Sequence, residues 1–262
     1  MTRTTAITGT ASGIGRATAA YLEARGDRVI RIDIAGGDVT ADLGTVDGRA
    51  FAVSETLRLS HGKLDAVVAC AGIASLDGPR VLSINHFGAV AILTGLRQAL
   101  ETAEAPRAVV ICSTAGLMPV DAETVARAVS LDEEGARAAA AAAPILAYAS
   151  SKQAIARWMR QTAVSAEWAG RGILLNGVAP GGVHTPILAP NLTSEKGRRV
   201  LARFSPIVLP DFAQPDDIAA FIGFLASSEN RVMVGQAPFL DCGTEALLRD
   251  ADVVWSPMNP AA

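Results

Sequence analysis

Residues 4–15 read Thr4-Thr5-Ala6-Ile7-Thr8-Gly9-Thr10-Ala11-Ser12-Gly13-Ile14-Gly15, a strand-like run that ends in a glycine-rich turn. The residues beyond it, through about Arg25, carry helical spacing. Glycines at such a point allow a tight turn and let backbone N–H groups approach a pyrophosphate at a helix N-terminus, where the dipole favours anions. Gly26-Asp27 breaks the helix, and the next apolar run, Arg28–Asp33, ends in a carboxylate 20 residues beyond Gly13. That separation suits a carboxylate that accepts from the ribose hydroxyls of a dinucleotide. The same charge repels the 2′-phosphate of NADP, and the adjacent Ile34 and Ser12 offer no cation in its place, so NAD is the expected cofactor. Arg31, two residues before Asp33, falls on the same strand face.

Strand and helix signals keep alternating from there. Leu64–Cys70, Ala108–Ser113, Gly172–Ala179 and Ala237–Asp241 read as strands, whereas Val46–Ser60, Pro79–Ala103, Ala147–Ala169 and Pro215–Ser227 read as helices. Unbroken apolar strands alternating with helices imply an α/β fold, a single doubly wound parallel sheet of the Rossmann type with helices on both faces. One stretch disturbs the pattern. Asp38–Ala41 resembles a strand, but 33–43 leaves no room for a helix before it, and a parallel crossover normally takes about a dozen residues or more. That strand is either reached by a short loop or absent. No repeat, linker or composition shift marks a second domain, so 1–262 reads as one.

Composition narrows the classes. Of 262 residues, 50% are apolar, 5% aromatic and 19% charged, with 24 Gly and 50 Ala, enough small aliphatics for a large core and against disorder. A net charge of −3 without a Lys/Arg block argues against a nucleic-acid partner. The longest apolar run, 138–149, is mostly Ala and holds Pro144, which is too short and too weakly hydrophobic to span a bilayer. Cys70, Cys112 and Cys242 are isolated, without metal-ligand spacing, which suits a reducing compartment and no metal. The chain opens on a strand rather than a targeting segment, so the expected location is the cytoplasm.

The chemistry-bearing residues fall at the far ends of the strands. Tyr148-Ala149-Ser150-Ser151-Lys152 opens a helix, and the i, i+4 spacing puts the phenol and the ammonium on one face. A free tyrosine hydroxyl is a poor base at neutral pH, and a nearby cation favours its phenolate. Ser113 ends one strand and Pro180-Gly181-Gly182-Val183-His184-Thr185 follows another, both at C-terminal edges, where open parallel sheets bind ligands. Asn85 lies within a helical stretch, where a buried amide is a liability unless something uses it. His86 and His184 read as packing or loop residues beside this set. Trp158 and Trp168, ten apart, read as core or interface residues on one helix.

Together these pieces resemble the short-chain dehydrogenase/reductase family over essentially the whole chain. The resemblance rests on TGTASGIG at 8–15, Asp33, Asp42-Leu43, Cys-Ala-Gly at 70–72, Asn85, Ser113, Tyr148/Lys152 and PGGVHT at 180–185. It implies that Tyr148 is the general acid/base and that Ser113 holds the substrate oxygen. By the same resemblance, Lys152 binds the nicotinamide ribose and tunes Tyr148, and Asn85 supports a proton-relay water. Gly9, Ser12, Gly13, Ile14, Gly15, Asp33, Asp42, Leu43, Gly72, Val183 and Thr185, with Tyr148 and Lys152, fall at cofactor-contacting positions. The chain departs from the family in two places. Ala69-Cys70-Ala71-Gly72 stands where the family usually has Asn-Asn-Ala-Gly, and Ser113 and Tyr148 are 35 positions apart, beyond the usual spacing.

The excess, about 119–144, is rich in Ala, Glu and Arg and reads as a helical insertion between the fifth strand and the helix that bears Tyr148. With Ala41-Asp42-Leu43, Leu175-Asn176 and Thr185-Pro186-Ile187-Leu188, it is similar to the bacterial 3α-hydroxysteroid dehydrogenase/carbonyl reductase branch. Insertions there alter which helices pair between subunits, so a homo-oligomer, a dimer, is expected. The loop at about 186–210 is the expected substrate segment, with Met118, Ile187, Leu188, Leu192, Phe204 and Leu209 as candidates for the pocket mouth. Its apolar character and scarcity of cations suit a neutral, hydrophobic alcohol or ketone, steroid-like or otherwise cyclic. The alternatives are a terpene alcohol, a polyol or a hydroxyacyl substrate, and a non-catalytic nucleotide-binding protein, which would not need Ser113, Tyr148, Lys152 and Asn85 together. The tail at 250–262, with Trp255 and two prolines, is open to either of two uses, covering the pocket or a partner subunit.

Overall fold

The computed structural model describes residues 2–249, so the tail at 250–262 lies outside the described residues. Seven strands make one sheet: β1 (Thr4–Thr8), β2 (Arg28–Asp33), β3 (Val39–Thr40), β4 (Ala66–Ala69), β5 (Arg107–Ile111), β6 (Leu174–Pro180) and β7 (Phe239–Leu240). Every pairing is parallel, in the order β3-β2-β1-β4-β5-β6-β7. The order reverses between β1 and β4, which opens a crevice above the C-terminal ends of the strands, where such sheets take ligands.

Consecutive strand side chains point to opposite faces, so these apolar strands must be covered twice. Ala6, Val67, Ala69, Ala108 and Val110 pack with α2 (Val46–Ser60), α4 (Ala89–Leu100) and α7 (Ala147–Ala163). Their neighbours Ile7, Ala66, Val68, Val109 and Ile111 pack instead with α1 (Gly13–Ala24) and α10 (Pro215–Ala226).

The short crossover is the alternative that occurs. Residues 34–38 alone join β2 to β3, whose two residues pair with Ile32 and Asp33. Gly36 and Gly37 adopt φ of 78° and 99°, and a Cβ on Gly37 would lie 2.9 Å from the Arg31 carbonyl oxygen. The Asp38 carboxylate closes the turn by accepting from the Arg31 N–H at 2.8 Å. A two-residue edge strand thus dispenses with the helix that a longer parallel partner would need.

Two helices differ from the sequence expectation. Pro79–Ala103 divides into α3 (Gly78–Leu82), a π-helical turn at Ser83–Gly88 that contains Asn85, and α4. Such π turns within helices are frequent at functional sites. The helix expected over Ala147–Ala169 ends at Ala163. Trp168 therefore sits off it, in the turn before a 3-10 segment, and folds back to meet Trp158 edge to face with centroids 6.5 Å apart, both rings buried.

Between β5 and α7 lie α5 (Ala122–Val129) and α6 (Glu133–Ala142), the helical pair expected from 119–144. Asp121 and Asp132 cap them by accepting from the Thr124 and Gly135 N–H groups at 2.7 and 3.0 Å. Val125, Ala128, Ala136 and Ala140 form a separate small core with Val81, Leu82, Phe87, Ala147 and Ala154, which fixes the pair against α3, the π turn and α7. Two further helices, α8 (Ala189–Thr193) and α9 (Glu195–Phe204), fall in the 186–210 segment, and α11 (Thr244–Leu248) follows β7. Among the described residues no helix is long and apolar enough to cross a membrane.

Candidate active site

A cavity of about 550 Å³ runs along the C-terminal ends of the strands. Gly9, Ser12, Gly13, Ile14, Gly15, Asp33, Asp42, Leu43, Gly72, Val183 and Thr185 all line it, together with Ser113, Tyr148 and Lys152. Asn85 does not, although its neighbour Ile84 does. Asp33 ends β2 and Ser113 follows β5, with β1 and β4 between them. They therefore stand three strand spacings apart, about 14 Å, one at each end of an elongated site.

At one end the glycine-rich turn is built by close approach. Gly9 has φ 77°, and a Cβ there would lie 2.8 Å from the backbone of Ala71. Thr8 Oγ1 accepts from the N–H groups of Cys70 and Ala71, each at 3.0 Å, which ties β1 to the exit of β4. Ser12 takes the N-cap of α1 without a side-chain cap bond, so the helix's first N–H groups are left for a ligand. Asp33 accepts from Ala11 N–H at 2.9 Å and from Ile34 N–H at 2.7 Å, which fixes its carboxylate beside this turn. The Arg31 guanidinium is engaged elsewhere, 2.6 Å from Glu23. Asp42 accepts from Gly44 N–H at 2.8 Å and pairs with Arg80 at 3.2 Å. Arg80 itself lines the cavity, a cation whose approach from α3 left no local signal in the sequence.

At the other end Lys152 is buried, and its Nζ donates to the Ile111 carbonyl at 2.9 Å. It stands 6.0 Å from the centroid of the Tyr148 ring, one turn earlier on α7. Among the described residues it has no carboxylate partner. Ser113 ends β5's extension in extended conformation, where its Oγ accepts from Ala115 N–H at 3.1 Å. The Asn85 side chain is fully engaged. It donates to the Ile73 carbonyl at 2.9 Å and to Ser151 Oγ at 3.1 Å, and accepts from Ile73 N–H at 2.8 Å. Ser151 Oγ in turn donates to the Tyr148 carbonyl at 2.7 Å. One amide thus links the loop after β4, the π turn and the start of α7.

The departure at Ala69-Cys70 is filled by packing. Cys70 lies against the apolar cluster under α1 and α10, and burial pushes its thiol up to about 12, against the pull of Lys152. Burial likewise raises Cys112 to about 11. Neither histidine lines the cavity: His86 is buried with its ring 2.7 Å from the Ala128 carbonyl, and His184 pairs with Asp211 at 3.0 Å. Of the residues expected at the mouth, Met118, Ile187, Leu188 and Phe204 line it, whereas Leu192 and Leu209 do not. Val200 and Leu201 do, and with Phe204 they form the i, i+1, i+4 apolar stripe of α9 that a helical reading of 195–204 would have found.

This arrangement has known counterparts. A family model described as enoyl-(acyl carrier protein) reductase matches residues 9–245. The 3-alpha-hydroxysteroid dehydrogenase/carbonyl reductase of Comamonas testosteroni is 36% identical over 255 residues, 93% of this chain and 96% of that protein. The cis-4-hydroxycyclohexanecarboxylate dehydrogenase of Sinomonas cyclohexanicum is 30% identical over 270 residues, 94% and 97% of the two chains. The crystal structure of the 3-alpha-hydroxysteroid dehydrogenase from Pseudomonas sp. B-0831, complexed with NADH, is similar with a TM-score of 0.89 and 38% identity, covering 94% of this chain and 98% of that one. Sheet order, cavity and full-length similarity agree, and the chain belongs to the short-chain dehydrogenase/reductase family of oxidoreductases.

Proposed function

We propose that the protein is an NAD-dependent dehydrogenase that interconverts a secondary alcohol and a ketone on a neutral, hydrophobic, cyclic substrate. The observation that carries this reading is the cavity itself, with a fixed carboxylate at one end and Ser113, Tyr148 and Lys152 at the other. A dinucleotide fits the residues present: α1 offers uncapped N–H groups to the pyrophosphate, and Asp33 offers an acceptor to the adenosine ribose. When bound, the nicotinamide accepts or gives the hydride.

The chain's own residues do the rest. Ser113 Oγ donates to the substrate oxygen and orients it. Tyr148 removes the hydroxyl proton during oxidation and returns it during reduction, and Lys152 stabilises the phenolate by charge. The Nζ keeps two N–H donors beyond the one given to Ile111, enough to hold a ribose as well. Asn85 acts through what it holds, keeping Ile73 and the Tyr148 turn in place.

Ile73, Ala74, Met118, Ile187, Leu188 and Phe204 give the substrate end an apolar wall, and the one cation besides Lys152 that lines the cavity among the described residues, Arg80, is paired with Asp42. That environment favours a neutral ring ketone over a thioester carrying phosphates. The names of the Comamonas and Sinomonas relatives both denote cyclic alcohols, which supports a ring-bearing substrate, while the neutral character rests on the apolar wall alone, since the Sinomonas substrate is itself a carboxylate. Three free cysteines suit a cytoplasmic enzyme.

The test is NAD reduction screened against steroid, terpene and polyol alcohols and repeated with NADP. Turnover of cyclic secondary alcohols with NAD is expected, and activity with NADP alone overturns the cofactor reading. Tyr148→Phe should lower kcat by about 100- to 10,000-fold while NAD affinity stays near that of wild type. Retained turnover in that variant removes Tyr148 from the mechanism.

A further inference from the structure

Arg49 belongs to α2, away from every motif above, yet its side chain is buried, with 8% exposed. Its Nε donates to the Leu43 carbonyl at 2.7 Å and one Nη to the Ser83 carbonyl at 3.0 Å. Both Nη atoms also reach the Glu133 carboxylate at 2.7 Å, and Ser83 Oγ donates to the same carboxylate at 3.1 Å. Glu133 is the first residue of α6, in the inserted pair. A buried guanidinium is costly unless a carboxylate neutralises it and its donors are used, and Glu133 meets that need in a bidentate pair.

The carbonyls it holds are not arbitrary. Leu43 lines the cavity beside Asp42, and the Ser83 carbonyl belongs to the peptide that leads into Ile84, which lines the cavity as well. Asn85 follows directly on the same π turn. The turn's last residue, Gly88, lies so close that a Cβ there would be 3.1 Å from the Leu43 carbonyl oxygen. One guanidinium therefore sets the spacing between two walls of the cavity, one arriving after β3 and one from the π turn.

We propose that Arg49 is a positioning residue for the dinucleotide pocket, held in place by Glu133 from the inserted helix pair. The proposal rests on the reading of this cavity as a dinucleotide site. It gives the insertion a role inside the subunit: the segment that lengthens the chain between Ser113 and Tyr148 also supplies the charge that lets Arg49 clamp Leu43 and Ser83.

A structural role and a positioning role separate in the doubly substituted protein. Arg49→Met with Glu133→Leu replaces a buried ion pair by apolar residues, an exchange that is often neutral in stability, although here it leaves the Leu43 and Ser83 carbonyls without their donor. Wild type, the double variant and Glu133→Gln are compared by calorimetric NAD titration, steady-state kinetics and thermal melting. The double variant should still unfold in one cooperative transition, its midpoint several degrees below wild type for the carbonyls left unpaired. Its NAD dissociation constant and KM should rise about tenfold, the effect of a pocket wall out of place, with kcat changed less than about twofold. Glu133→Gln, which keeps the volume and fold contacts, should show the same KM increase to a smaller degree. Wild-type NAD affinity in both variants overturns the proposal and leaves a purely structural ion pair. Should the double variant fail to fold, unchanged NAD affinity in Glu133→Gln has the same force. Failure of wild type to bind NAD is a different result, which removes the cofactor reading and this proposal with it.

Discussion

In the proposed function, the preference for NAD rests on one carboxylate, that of Asp33. Backbone N–H groups from Ala11 and Ile34 hold it at the end of β2, and Arg31, two residues before it, is taken up by Glu23. A 2′-phosphate placed there would meet an anion, and Arg31 is already committed to Glu23. Asp33→Ala removes a charged acceptor worth about 1.5–3 kcal/mol, so kcat/KM with NAD should fall roughly 10- to 100-fold while that with NADP rises. The ratio of the two efficiencies measures it, and a ratio unmoved by the substitution removes Asp33 from the preference. Residues such as Asp33, Tyr148 and Lys152 were legible because their meaning is local: a strand end, a fixed distance from a glycine turn, a single helical turn. Arg80 and Arg49 were not, because their partners Asp42 and Glu133 are 38 and 84 residues away in the chain. An arginine reads the same in sequence whether it is solvated or buried against a carboxylate.

At the scale of elements, the alternation of strands and helices was visible because apolar periodicity reports burial directly. The π turn at Ser83–Gly88 was invisible, since it differs from an α-helix by one hydrogen-bond step and not by composition. That turn also carries His86, whose ring is buried beneath α5 with Nε2 at the Ala128 carbonyl and Nδ1 without a partner among the described residues. Burial lowers it from 6.5 to about 4, with the Ala128 carbonyl and Glu133 pulling the other way. The folded chain therefore keeps a neutral ring where the unfolded chain takes up a proton. Stability is full above pH 6.5 and is lost as pH falls from there toward 4, by about 2 kcal/mol between pH 7 and pH 5. His86→Gln, which keeps a donor for Ala128, should lack this slope. Urea midpoints at the two pH values test it, and equal slopes in wild type and variant place the titration elsewhere.

For the whole molecule, the 35-position separation of Ser113 and Tyr148 announced extra structure, and α5 and α6 occupy that interval. What the spacing could not convey is where the pair docks, because docking depends on surfaces brought together from α3, the π turn and α7. By covering this flank, the pair takes helix surface that would otherwise be available to another subunit, and pairing is left to the faces beyond it. A closed two-fold dimer needs a single self-complementary patch of about 800 Å² per subunit, whereas a tetramer with dihedral symmetry needs a second, independent one. With one flank occupied from within the chain, the dimer is the assembly expected. Sedimentation equilibrium should return twice the 27.0 kDa chain mass at working concentration. A tetramer would show that the inserted pair leaves both patches free, and a monomer that persists at high concentration would show that neither exists.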